Sequence, residues 1–72
     1  MDPHVAWNEM LEAIFTNDMF EADLRAEGLI DWLDRGGFPP QPLSRVLPAE
    51  WDRMICRYFC QEVRLAAQHA GE

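Results

Sequence analysis

The sequence contains no lysine, one serine (Ser44), two histidines (His4 and His69) and two cysteines (Cys56 and Cys60). Each scarcity removes a class of chemistry. A closed zinc site needs four ligands, and His4 and His69 lie near opposite ends of the chain in no zinc-binding spacing. Cys56 and Cys60, four apart on one helix, do not reach relaxed disulfide geometry, so they are expected as buried structural thiols. Two ligands at that spacing can still pinch a metal, which leaves a metal-dependent or redox protein as a distant reading. No hydrophobic stretch approaches the ~18 residues needed to cross a bilayer. Met1-Asp2-Pro3-His4 lacks the basic and apolar segments of a secretory signal. The expectation is a cytoplasmic protein with reduced thiols and no membrane contact. Gly-rich phosphate loops, nucleophile elbows and H-E-x-x-H are all missing, and Ser44 stands alone in a proline-rich stretch. A chain of 72 residues also has little volume to spare for a pocket. No catalytic residue, cofactor or metal is assigned.

What is present is apolar and acidic. Almost half the residues are apolar, with Trp7, Trp32, Trp51 and four Phe among them, which excludes a disordered chain. A domain this small buries only roughly 60% of the surface its unfolded chain exposes, so a partner chain is an obvious source of added stability. The net charge is −7. It resides in residues 1–37, where nine carboxylates face Arg25 and Arg35; the remainder balances four carboxylates against Arg45, Arg53, Arg57 and Arg64. Such a chain is repelled by nucleic-acid phosphates and anionic membranes and is suited to a basic protein surface.

The pattern predicts three helices. Asp2-Pro3 is a helix start, an N-cap acceptor followed by a residue pre-set for the first turn, and Trp7, Met10, Leu11, Ile14 and Phe15 follow at helical spacing over 3–16. Asp18 with Glu21 has the form of a capping box and opens a second helix over 18–35, apolar along Met19, Ala22, Ala26, Leu29, Ile30 and Leu33. Gly36-Gly37 ends it, with Phe38 expected to fold back on Leu33. Pro39, Pro40 and Pro42 then hold 36–47 as an extended connector. A third helix over 48–69 starts at Pro48 and is expected to turn Trp51, Met54, Ile55, Tyr58, Phe59, Val63, Leu65 and Ala66 towards the core. The fold class is all-α: a helical hairpin, a proline-rich connector and a third helix in one domain.

Several constellations bear on function. Asp23, Glu27, Asp31 and Asp34 form an acidic ridge on the second helix; like charges at that spacing cost about 0.2–0.5 kcal/mol per pair. Read functionally, the ridge meets a basic partner; read structurally, it is a solvated face. Phe20 and Leu24 point away from that helix's main apolar face, which suits an interface, and a homodimer would enlarge the core into a bundle. Arg53, Arg57 and Arg64 line one side of the third helix, an alternative nucleic-acid surface disfavoured by the acidic balance. Glu62 has apolar neighbours at helical spacing and would be costly if buried. Pro39-Pro40-Gln41-Pro42 contains a minimal P-x-x-P, explained more simply as a rigid connector.

The run Trp32-Leu33-Asp34-Arg35-Gly36-Gly37-Phe38-Pro39-Pro40 resembles a helix-ending string found in short proteins of bacteria and their phages. The resemblance extends over residues 18–40 and implies an accessory protein, with no activity and no functional residue carried over. The sequence as a whole points to a non-enzymatic interaction module, an adaptor subunit or a small acidic inhibitor, binding another protein through Asp23, Glu27, Asp31, Asp34, Phe20 and Leu24.

Overall fold

A computed structural model describes residues 1–43 and 45–70; Ser44 lies outside the described residues. Among the described residues there are three helices, α1 (Pro3–Phe15), α2 (Met19–Asp34) and α3 (Ala49–Ala70), and no strand. The all-α, hairpin-plus-third-helix architecture therefore holds. Helix α2 packs against both others and forms the middle of the arrangement. None of the described helices is long and apolar enough to cross a membrane.

The helix ends follow from local chemistry. Asp2 Oδ1 accepts from the backbone N–H of His4 (3.0 Å) and of Val5 (3.4 Å), satisfying two of the free donors at the start of α1. Asn17, at φ 61°, closes α1, with its N–H on Ile14 O and that of Asp18 on Ala13 O. Asp18 at once opens α2, accepting from Glu21 N–H at 3.2 Å. Only half of a capping box forms, because the Glu21 carboxylate turns to Arg25 instead.

At the end of α2, Gly36 takes φ 86° and a paired motif follows: Gly36 N–H to Leu33 O and Gly37 N–H to Trp32 O. Phe38 does not fold back on Leu33. It is 74% exposed, and the indole of Trp32 does the locking, donating from Nε1 to Phe38 O at 2.8 Å. Gly37 lies so close under that ring that a Cβ there would overlap it. Pro39 and Pro40 are buried rather than presented, so of the P-x-x-P only Gln41 and part of Pro42 reach the surface.

The core is made mostly of small residues. Ala6, Trp7, Met10 and Ala13 of α1 and Ala22, Ala26, Leu29 and Leu33 of α2 meet Cys56, Cys60 and Val63 of α3. The apolar face expected for α2 is the one buried. The expectation for α3 fails. Val63 is buried, but Trp51, Met54, Tyr58 and Leu65 face outwards. The alanines of α2 allow close helix approach, and the space that remains suits Cys and Val rather than Trp and Tyr.

Candidate functional site: the outer face of helix α3

Helix α3 has two apolar faces. Residues 52, 56, 60 and 63, spaced by four, four and three, turn inwards. On the opposite side Trp51, Met54, Tyr58 and Leu65 are 51%, 53%, 66% and 48% exposed. Trp51, Met54, Ile55, Tyr58 and Phe59 line an open groove of about 370 Å³. Its floor is fixed where the Phe59 ring meets Trp7 of α1, centroids 5.2 Å apart and tilted by 55°. The cluster is solvent-facing, with its side chains adjacent on one helix. The sequence carried the signal in the positions of the cysteines, whose stripe defines the core face of α3. Judging by side-chain size alone puts the core on the wrong side of the helix.

The acidic ridge and the arginine stripe, separate in the sequence, come together along the α2–α3 seam. Arg57 Nε donates to Asp34 Oδ1 at 2.8 Å and Nη2 to Asp34 Oδ2 at 3.3 Å. These hydrogen bonds hold the Asp34 carboxyl below its ordinary value and raise the Arg57 guanidinium above its own. Arg64 Nε donates to Asp23 Oδ1 at 2.9 Å, with Glu27 at 3.7 Å. Asp31 pairs with Arg35 at 2.7 Å on its own helix, and Arg25 bridges Glu9 and Glu21.

Arg53 does something different. Half-buried, it donates from Nη1 to Leu33 O at 2.7 Å and from Nη2 to Gly37 O at 3.0 Å. It is a cross-helix cap, a cation set against the negative end of α2. All three arginines of the alternative nucleic-acid surface thus have partners within the chain, and Asp23, Glu27, Asp31 and Asp34 each face an arginine. Phe20, at 78% exposure, and Leu24 stand clear of the core.

The remaining candidates separate cleanly. Glu62 is exposed, lying in the outer stripe of α3 between Tyr58 and Leu65. The buried carboxylate is Asp52, which sequence reasoning passed over: it is 2% exposed, and its Oδ1 has no hydrogen-bond partner among the described residues. Its place in the first turn of α3 gives it the positive end of the helix dipole. Cys56 and Cys60 are free and fully buried at the centre of the inner face. Burial, helped by the neighbouring Cys60 and Asp52, pushes the Cys56 thiol up to about 12, and burial pushes Cys60 up to about 11. Cys60 Sγ lies 3.8 Å from Met10 Sδ, and Cys56 Sγ reaches Pro40 O at 3.6 Å. Among the described residues no group of three or more His, Cys, Asp or Glu stands close enough to hold a metal ion.

Comparison with protein-family models, with curated proteins and with solved structures found no match.

Proposed function

We propose that this chain is a non-enzymatic protein-interaction module of the kind found among bacterial or phage accessory proteins, and that it works through the outer face of α3. The observation that carries this reading is the exposure of Trp51, Met54 and Tyr58 side by side on one helix, with smaller residues taking the core. Aromatic and methionine side chains are the residue types that dominate interface energetics, and they are rarely left in water in such a group. The ridge of Asp23, Glu27, Asp31 and Asp34 has a secondary part. Asp34 pairs with Arg57 of α3, and Asp23 and Glu27 with Arg64, while the net charge of −7 disfavours a nucleic-acid partner. The reading needs no cofactor, and a cytoplasmic setting suits the two reduced thiols.

A photo-reactive amino acid placed at position 58, compared with one at position 27 on the acidic ridge, tests the assignment in living cells. Crosslinked adducts at 58 and few at 27 are expected. Adducts confined to 27 would return the interface to the acidic ridge, and none at either position would overturn the reading.

A further inference from the structure

We infer that the outer face of α3 is covered by a second copy of this chain, packed antiparallel along the same helix about a two-fold axis at Tyr58. The inference rests on the preceding reading of α3 as the interaction face and names its occupant.

Spacing comes first. Trp51, Tyr58 and Leu65 recur every seven residues, with Met54 between the first two, which is the seam of a helix pair packed at a shallow angle. Helix α3 runs from Ala49 to Ala70, long enough for the whole seam to lie against a copy of itself. A two-fold interface uses one patch twice and needs no other complementary surface.

Charge sets the direction. Between Trp51 and Leu65 the stripe carries one charge, Glu62. The flanking Arg57 and Arg64 are held by carboxylates of α2, and Arg53 by its backbone carbonyls. With the axis at Tyr58, an antiparallel pair sets Glu62 against Met54 of the second copy, and Trp51 against its Leu65. The two Glu62 carboxylates then lie about 12 Å apart along the helices, eight residues at the α-helical rise, beyond the Debye length of about 8 Å at physiological salt. A parallel pair would press Glu62 against Glu62 and align the two helix dipoles. The stripe has no charged margin for an oppositely charged helix to read, whereas a second copy needs none.

Area agrees with a modest dimer. From the exposed fractions above, and roughly 150–250 Å² for a whole aromatic side chain, the face offers on the order of 500 Å² per copy. Two copies would remove about 1,000 Å², the lower bound for a specific interface. The dimer is expected to be weak for its class, with a salt dependence opposite to that of a charge-driven complex. Two chains of −7 repel, so added salt tightens the dimer, whereas it would weaken attachment of a basic partner.

Sedimentation equilibrium across a concentration series tests this on the intact chain. The expected mass rises from the monomer value of 8.4 kDa towards twice that, and at higher salt it does so at lower concentration. Tyr58→Glu, at an exposed position expected to leave the fold intact by circular dichroism, abolishes the rise; Phe15→Glu, at an exposed position on α1, leaves it unchanged. Direction is read by oxidation: Met54→Cys mixed with Glu62→Cys forms a heterodisulfide, while Glu62→Cys alone does not pair. A chain that stays monomeric throughout, a dimer that survives Tyr58→Glu, or a Glu62→Cys homodisulfide would each overturn the proposal. A monomer whose position-58 crosslinks run only to other proteins would overturn the second copy and spare the interaction face. The absence of any adduct would remove both.

Discussion

Replacing Arg53 by methionine is expected to destabilise the fold by about 2 kcal/mol, more than the loss of any other single charge on α3. The substitution keeps an unbranched apolar stem and removes the guanidinium alone. Two charge-assisted hydrogen bonds go with it, to Leu33 O at 2.7 Å and Gly37 O at 3.0 Å. A hydrogen bond involving a charged group contributes about 1.5–3 kcal/mol, and the two here are not simply additive. Leu33 O keeps a second donor, the Gly36 N–H at 3.1 Å, so its loss is partial. The bond to Gly37 O ties the turn after α2 to α3 across sixteen residues of sequence, and its loss frees the start of the connector. In a domain of this size 1 kcal/mol moves the melting temperature by about 4–8 °C, so the expected drop is roughly 8–16 °C.

Thermal and urea unfolding followed by far-ultraviolet circular dichroism measures it, with Arg64→Met as the comparison. Arg64 sits in a partly exposed ion pair with Asp23, worth about 0.2–1 kcal/mol. Salt separates the two further. The Arg64 pair is screened as ionic strength rises, whereas the Arg53 contacts, made to carbonyls, are much less so. If Arg53→Met costs no more than Arg64→Met, or if its cost vanishes in high salt, the cross-helix cap is not what holds the end of α2.

Other substitutions probe the same joint and the inner face of α3. Gly37→Ala should lower stability by about 1–3 kcal/mol, because the new methyl must displace the Trp32 indole and break its bond to Phe38 O; a neutral result in chemical unfolding would refute that packing. Gly36→Ala meets no neighbouring atom and should cost only the left-handed backbone penalty, about 1–2 kcal/mol. Asp52→Asn removes a buried charge whose Oδ1 lacks a partner, so stability should stay level or rise by up to about 1 kcal/mol. A clear loss would show that the carboxylate itself is held. Both thiols are raised in the folded state, to about 12 and about 11, so the unfolded chain gives up its protons first as pH climbs. The contribution of these thiols is complete below the ordinary thiol value and is lost as pH rises from there towards the folded values; alkaline melts should show it. Native alkylation by iodoacetamide should correspondingly await unfolding, and rapid labelling of the folded protein would contradict the burial.

The helices were legible in the sequence, but not the full core face of α1, where Leu11 and Phe15 are exposed and Ala6 and Ala13 are buried, nor the orientation of α3. Asp2, Asp18, Gly36 and the prolines act within a few residues of themselves, so their consequences are local and readable. The core face of α2 was legible because alanine and leucine alternate with charge at one helical period. Helix α3 was not, because it carries apolar residues on both sides, and size favoured the wrong one. Which side turns inwards depends on the space left by Ala22 and Ala26, a tertiary quantity that no window of α3 contains. Phe38 shows the same limit: the expected fold-back contact was local, but Trp32, six residues earlier, already occupied the role. The acidic ridge and the arginine stripe could each be found from spacing. Their union could not, since it joins residues 23 and 64, and 34 and 57.

That union explains how α3 selects its orientation despite having two apolar sides. Turning the helix half a revolution would bury Trp51, Met54 and Tyr58, but it would carry Arg53 away from Leu33 O and Gly37 O, Arg57 from Asp34, and Arg64 from Asp23. Asp23, Glu27 and Asp34 of α2, costly neighbours on their own helix, would then lose their counter-charges on α3. The ion pairs of Arg57 and Arg64 thus act on the choice between two packings more than on overall stability, the role for which polar pairs are best attested. A double-mutant cycle on Arg64 and Asp23 tests this directly. Arg64→Asp should weaken the fold and, by freeing α3 to turn, reduce the exposure of Trp51 to an aqueous quencher. Adding Asp23→Arg should restore both. If the two substitutions prove additive in stability and leave Trp51 quenching unchanged, the pair does not set the rotation of α3, and shape alone must hold its aromatic face outwards.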